Sequence, residues 1–205
     1  ETVDLNRIID AVTDAWFSEF PNQVLAKLAE TFAERTSDFQ REQLAKQFKA
    51  ALGIDIYRSE PWLAPRIADF TAENVALIES VAQRHFTDLE TKLSAGLREG
   101  QRWEDLATLI EDRYGVAESS AKLVARDQVG KLYGDLNATR QQNLGVTSFT
   151  WRTMSDNRVR DEHELLEGKT FEWSDLPEEG QPGEPINCRC WAEPDLSGLL
   201  DDAAA

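Results

Sequence analysis

The sequence predicts a mainly α-helical protein in which an elongated helical body is followed by a small C-terminal α+β module of short antiparallel strands. Apolar residues recur at helical spacing as far as about residue 144. The pattern changes at Val146–Thr153, where β-branched and aromatic residues alternate between two faces. We therefore expect four regions: an N-terminal helical segment (1–60), a long-helix body (61–145), the α+β module (146–198) and a mobile acidic tail (199–205).

The N-terminal segment has two stretches of helical pattern. The first covers Leu5–Phe20, and Pro21 is expected to break or kink it, because proline removes a helical hydrogen bond. Ser37 or Asp38 is predicted to start the next helix, which Gly53 stops as a helix-ending glycine.

The middle of the chain predicts a connector and then two further helices. Residues 57–65 contain two prolines and indicate a connector. Thr71 is the predicted N-cap of a long helix that runs to about Gly100. A short helix over Trp103–Tyr114 follows, and Gly115 is expected to close it.

The last predicted helix leads into the α+β module. It begins near Ser119 and ends at Gly145, and Gly130 and Gly134 within it are expected to permit close helix packing. Three strands and one helical turn are predicted beyond it, with strands at Val146–Thr153, Lys169–Trp173 and Ile186–Ala192 and a turn at Asp161–Leu166 closed by Gly168.

Composition and charge exclude several classes of protein. The 205 residues include no run of about 18 apolar residues, so no membrane span is predicted. The first residues have neither the basic stretch nor the apolar core of a secretory signal. Residues 146–205 hold 14 of the 38 acidic residues and 5 of the 22 basic ones, more than half of the net charge of −16. Such a negative charge opposes direct DNA binding, because the DNA phosphates repel the acidic side chains.

His163, Cys188 and Cys190 form the candidate chemical cluster, and three interpretations stay open. Zinc favours these ligands, and two cysteines one residue apart on a strand face the same side. Asp156, Asp161 or a water would then be the fourth ligand. Alternatively, the thiols are small buried apolar groups beside a hydrogen-bonded histidine. A Cys–His nucleophile pair oriented by Asn187 or Asp156 is the third interpretation. A disulfide between the cysteines would be strained, so we expect free thiols.

Arginines and tryptophans surround this cluster in sequence. Arg158 and Arg160 either tie their own loop together through carboxylates and carbonyls, or bind a partner's carboxylate or phosphate. Arg189 lies between the cysteines and is expected to pair with one of the nearby acids. Three tryptophans fall in or beside predicted strands and are expected to form the core of the module: Trp151, Trp173 and Trp191.

The two segments that hold this cluster carry a family resemblance. They read DNRVRDEH at residues 156–163 and PGEPINCRC at residues 182–190, after ARDQ at 125–128 and WRT at 151–153. In this order and spacing they resemble the phage Mu F-like head morphogenesis proteins, the minor capsid proteins of tailed bacteriophages. The resemblance covers about residues 70–195. Its signature residues are Asp156, Arg158, Arg160, His163, Asn187, Cys188, Arg189 and Cys190.

The resemblance implies a virion protein without enzymatic activity. It would bind the portal vertex inside the head, with residues 1–60 as the portal-contact region, and act in capsid assembly and in DNA packaging or ejection. The implied partners are the portal protein and also the major capsid or scaffolding protein, with multiple copies of this chain in each virion. The chain would reside in the host cytoplasm during assembly. A Cys- or zinc-dependent hydrolase or peptidase, acting in head maturation or in the host, is the alternative function.

Overall fold

The structure is a computed structural model that describes residues 22–56, 59–99, 101 and 103–199, together with residues 11, 13–15 and 18. This part of the chain contains long helices followed by a three-stranded antiparallel sheet, so the predicted fold class is confirmed. The elements in chain order are α1 (Asn22–Leu52), α2 (Leu63–Arg98), α3 (Trp103–Asn143), β1 (Ser148–Thr153), α4 (Asp161–Glu164), β2 (Thr170–Glu172) and β3 (Cys190–Asp195).

The chain packs as two compact units. The first combines the residues up to Thr31 with Pro65–Ala125, and the second combines Phe32–Ala64 with the residues from Arg126 onward. Helices α1 and α3 contribute residues to both units. The four-region division at residues 60, 145 and 198 stays a prediction. Within the described part of the chain, no helix combines the length and apolar character that a bilayer crossing needs.

Helix α1 does not restart at Ser37 or Asp38, and that prediction was wrong. Ser37 is buried in the middle of the helix, where its hydroxyl accepts a hydrogen bond from Nη2 of Arg140 at 2.9 Å. Its side chain therefore has a tertiary partner instead of capping a helix. The helix ends before Gly53, which has a φ of +70°, as predicted. The helix predicted over Leu5–Phe20 and its break at Pro21 lie mostly outside the described residues.

Helix α2 begins eight residues before the predicted cap. Thr71 is in the helix interior, and its hydroxyl donates to the carbonyl of Ile67 at 2.7 Å. The helix instead starts at Leu63, so Pro65 lies in the first turn, where its missing N–H costs no intrahelical bond. It ends at Arg98, and the predicted end at Gly100 lies outside the described residues.

Helix α3 is continuous through the position where two helices were predicted. Gly115 lies inside it, and a Cβ at this position would meet nothing within 4 Å. A helix tolerates such a glycine because the cost relative to alanine is only about 1 kcal/mol. The predicted end is correct: Gly145 has a φ of +84°, and Val146 N–H donates to the carbonyl of Gln141 at 3.0 Å, as in a Schellman motif.

The sheet has the strand order β2-β1-β3, with β1 antiparallel to both neighbours. The side chains of Phe149, Trp151 and Thr153 in β1 face inward, as the alternating pattern predicts. Phe149 and Trp151 form the core of the module with Ala192 of β3, and Leu166, Phe171, Trp173 and Cys190 pack against it. Trp191 is only half-buried.

Strand β3 begins four residues later than predicted and continues through Pro194. Ile186 and Asn187 are in a turn because their backbone groups have other partners. Arg160 Nη2 donates to the carbonyl of Ile186 at 2.6 Å, and Asn187 N–H donates to Asp127 Oδ1 at 2.7 Å. Pro194 is tolerated because β3 is an edge strand, whose outer side needs no ladder hydrogen bond.

A buried polar network joins helices α1 and α3 to the sheet in the second unit. Arg140 is 3% exposed, and its Nε and Nη2 donate to the carboxylate of Glu60 at 2.6 and 2.8 Å. Its Nη1 donates to the carbonyl of Ser37 at 2.8 Å. Asn137 Nδ2 on the same helix donates to the carbonyl of Ala192 in β3 at 2.7 Å. The C-terminal parts of both helices, from Phe32 and from Arg126, are therefore packed with the sheet in the second unit.

Candidate functional site

The structure brings His163, Cys188 and Cys190 together from three segments. His163 lies on α4, Cys188 on the loop before β3, and Cys190 at the first position of β3. Their ligand atoms all lie within 4.8 Å of one another. Nδ1 of His163 is 3.6 Å from Sγ of Cys188 and 3.4 Å from Sγ of Cys190. Both cysteines are free thiols.

Helix α4 buries His163 against β1. The chain enters the helix at Arg160 in an extended conformation and leaves through Gly168, which has a φ of +76°. Gly168 N–H donates to the carbonyl of Trp151 at 2.9 Å, which fixes the end of this segment to the strand. The ring of His163 packs edge-on against the indole of Trp151, with the centroids 5.4 Å apart, and the histidine is only 1% exposed.

Glycines on α3 allow the loop before Cys188 to approach the helix backbone. A Cβ on Gly134 would lie 2.5 Å from the carbonyl oxygen of Pro182 and 3.1 Å from Cα of Gly183. Gly183 itself has a φ of +99°, which favours glycine. One turn earlier, Gly130 faces the carbonyl of Cys188. The two glycines were expected to permit close helix packing; the close neighbour of Gly134 in the structure is instead this loop.

The hydrogen bonds of the loop place the thiols in different environments. A hydrogen bond from Cys190, helped by the backbone N–H of Gly183 and by nearby His163, lowers the pKa of Cys188 to about 6. The pKa of Cys190 is raised above its ordinary value, first by that same hydrogen bond and then by burial. The pair therefore favours a thiolate at Cys188 and a protonated thiol at Cys190.

The other ring nitrogen of His163 faces a carboxylate that the sequence did not single out. Nε2 lies 3.5 Å from Oε2 of Glu179, and it is buried without a hydrogen-bond partner of good geometry. Glu179 itself is partly exposed. No spacing rule links this glutamate to the signature segments, so only the folded loop reveals the contact.

Asp156 and the arginines tie the signature segments to each other. Nε of Arg189 donates to Oδ1 of Asp156 at 2.9 Å, and Nη2 donates to the second oxygen. Arg158 N–H also donates to this carboxylate at 3.1 Å. The bond from Arg189 is the first cause that lowers the pKa of Asp156. Asp156, the predicted alternative to water as fourth ligand, is thus paired with arginines and is not part of the three-residue cluster.

Asp127 on α3 is a further residue that holds the site. Its Oδ1 accepts the N–H of Asn187, which has a φ of +54°, directly before Cys188. Its other oxygen forms an ion pair with Lys131 at 2.9 Å. The segment ARDQ at 125–128 pointed to this residue as part of a pattern, but its role as a loop acceptor depends on a contact 60 residues away in sequence.

Comparisons with known proteins relate most of the chain to a described family and to one relative. The family model described as "Phage Mu protein F like protein" matches residues 87–193. An uncharacterized protein of Haemophilus influenzae is 29% identical over 167 residues. The alignment covers 80% of this chain but only 37% of the relative, so the chain spans little more than a third of that protein's length. No solved structure matches the chain.

The match to the family model covers more than half of the chain. It contains α4, β1, β2, the first four residues of β3, the loop docked on α3 and the eight signature residues. The resemblance seen in the sequence is thereby confirmed: the chain belongs to the phage Mu protein F-like family.

Proposed function

We propose that the chain is a head morphogenesis protein of a tailed bacteriophage, a minor capsid component that binds the portal vertex inside the head. In this role it would act in capsid assembly and in DNA packaging or ejection. The family match over residues 87–193 carries the proposal, because it includes α4, β1, β2, most of β3 and the eight signature residues. Signature residues connect the loop after β1 to the loop before β3, as in the contacts of Arg189 with Asp156 and of Arg160 with the carbonyl of Ile186. Such contacts favour a structural role for the signature.

Exposed apolar side chains on α1 support a protein partner. The helix exposes Val24 and Leu28 in the first unit and Phe32 and Phe39 in the second. Phe32 and Phe39 are seven residues apart, so they lie on the same face of the helix. Large apolar side chains grouped on a solvent-exposed face are typical of interaction surfaces.

The position of this face in the chain favours the portal as its partner. Both phenylalanines lie within residues 1–60, the predicted portal-contact region, and before the family match begins at residue 87. A contact surface that is adapted to one particular portal is expected outside the region that the family shares. The net charge of −16 opposes a role in coating DNA and favours attachment to protein.

Co-expression with the portal protein of the same phage tests the proposal. We expect a complex of defined stoichiometry by size-exclusion chromatography with light scattering. Phe32→Ser combined with Phe39→Ser should weaken the complex at least about tenfold, since each substitution removes an aromatic side chain that the portal would bury in the complex. Leu165→Ser is the control, because Leu165 is 71% exposed on the module outside the predicted contact region.

The result that would contradict the proposal is equally specific. A chain that is folded by circular dichroism and forms no complex with the portal at micromolar concentrations would exclude portal binding in this form. If the Leu165 control and the double phenylalanine variant lose binding equally, α1 is not the contact surface.

A further inference from the structure

We propose that Nδ1 of His163 and the Sγ atoms of Cys188 and Cys190 bind one zinc ion, with a water or an external ligand in the fourth position. The inference does not depend on portal binding, because it concerns the interior of the module. The arrangement of the three side chains, their buried surroundings and the carboxylate behind His163 carry it.

The distances between the ligand atoms fit a tetrahedral zinc site. Zinc binds thiolate sulfur at about 2.3 Å and imidazole nitrogen at about 2.0–2.1 Å, so a tetrahedral centre separates the nitrogen from each sulfur by about 3.6 Å. The observed separations are 3.6 and 3.4 Å. Both nitrogen–sulfur separations therefore match a tetrahedral zinc site, and all three ligand atoms lie within 4.8 Å of one another.

Hydrogen bonds to the imidazole of His163 can satisfy only one of the two thiols at a time. Nδ1 of a neutral imidazole has either one lone pair or one proton, and both sulfurs approach this same atom. Only one of the two S–N contacts can then be a full hydrogen bond. One divalent cation would engage all three atoms together. Its binding would release the proton of Cys190 to solvent, and the two resulting thiolates would neutralise its charge beside Trp151.

Glu179 lies where a zinc-bound histidine needs a partner. Histidines that bind a metal through one nitrogen commonly donate the other N–H to a carboxylate, which fixes the tautomer and the ring orientation. Nε2 of His163 is buried, has no hydrogen-bond partner of good geometry, and is 3.5 Å from Oε2 of Glu179. A small movement of this partly exposed glutamate completes the bond.

Each of the three ligands is positioned by a different structural element. Helix α4 packs His163 against Trp151, the ladder between β1 and β3 places Cys190 opposite Thr153, and α3 docks the loop of Cys188 through Gly134 and Gly183. Ligands supplied by independently packed segments make the site preorganised, and an ion would cross-link those segments.

Metal analysis of the whole purified chain tests the site. We expect one zinc per chain by inductively coupled plasma mass spectrometry after dialysis. Cobalt substitution should produce thiolate-to-cobalt charge-transfer absorption and the visible bands of a tetrahedral centre. Cys190→Ser should abolish stoichiometric zinc and the charge-transfer contribution of that thiolate, whereas His85→Ala, which changes the other histidine, should leave both unchanged.

Glu179→Gln separates the proposed partner of His163 from the ligands. It should keep zinc but weaken its affinity by about tenfold or more in a chelator competition assay. Glu178→Gln, the exposed neighbouring acid, is the matched control and should leave the affinity unchanged. Because these variants keep all three ligands, they remain informative if the cysteine variants fail to fold.

A folded wild-type chain that takes up neither stoichiometric zinc nor cobalt with thiolate absorption would overturn the proposal. Selective alkylation of Cys188 by iodoacetamide in that metal-free chain would then favour a thiolate–imidazolium pair, the arrangement of a nucleophilic cysteine. Equal zinc affinities of the Glu179 and Glu178 variants would overturn the role of Glu179.

Discussion

Arg140 shows how one residue can join distant segments of the chain. Its guanidinium contacts Glu60 and Ser37, which precede it by 80 and 103 residues, and only 3% of its surface is exposed. A buried arginine keeps its charge, so it requires the carboxylate and the carbonyl that surround it. Amphipathic spacing gives no sign of such a residue, because a basic position on a helix ordinarily faces solvent.

Replacing Arg140 with methionine should destabilise the second unit strongly. The change leaves the Glu60 carboxylate, with a side chain 15% exposed, without its charged partner, and we expect a loss of about 3–5 kcal/mol in the free energy of unfolding. Urea denaturation followed by circular dichroism measures it. Arg41→Met is the control: Arg41 pairs with Asp38 on the surface, and its loss should cost less than about 1 kcal/mol. Equal losses in the two variants would contradict the assigned role.

At the scale of elements, the sequence predicted helix ends better than helix starts. Gly53 and Gly145 have positive φ values and end their helices, because they supply a backbone conformation that other residues rarely adopt. Ser37 and Thr71 resemble caps in sequence, yet their hydroxyls bond within or between helices. Serine and threonine side chains have several local partners, and only the tertiary structure selects among them.

The sequence predicted the three residues of the candidate site but not the residues that contact and position them. The signature segments contain His163, Cys188 and Cys190, and their residue types indicated a common site before the fold was known. Glu179 belongs to no recognisable spacing and reaches His163 only through the path of the loop. The late start of β3 was missed because Arg160 and Asp127 bind the backbone of residues 186 and 187.

The docking of the 182–188 loop on α3 gives a prediction at this scale. Gly134→Ala should destabilise the chain by about 1–3 kcal/mol, because the new Cβ would overlap the backbone of Pro182. Gly115→Ala on the same helix has open space and should instead stabilise the chain by up to about 1 kcal/mol. Thermal and urea unfolding of both variants measure the difference. If Gly134→Ala is as stable as Gly115→Ala, the close approach does not hold the loop.

At the scale of the whole molecule, both the net charge and the family membership favour a protein that is attached to other proteins of a phage head. A chain with a net charge of −16 is repelled by packaged DNA, so a place inside a phage head requires attachment to protein. The family match supplies the connection to phage heads, and the exposed phenylalanines of α1 are the surface that we propose for attachment.

The composition of purified heads tests the central claim most directly. Quantitative mass spectrometry would compare heads assembled with the portal protein and heads assembled without it, with the major capsid protein as the internal standard. We predict multiple copies of this chain per head when the portal is present and its loss when the portal is absent. Heads that contain the portal but lack the chain, or that retain equal amounts without the portal, would contradict the proposed attachment.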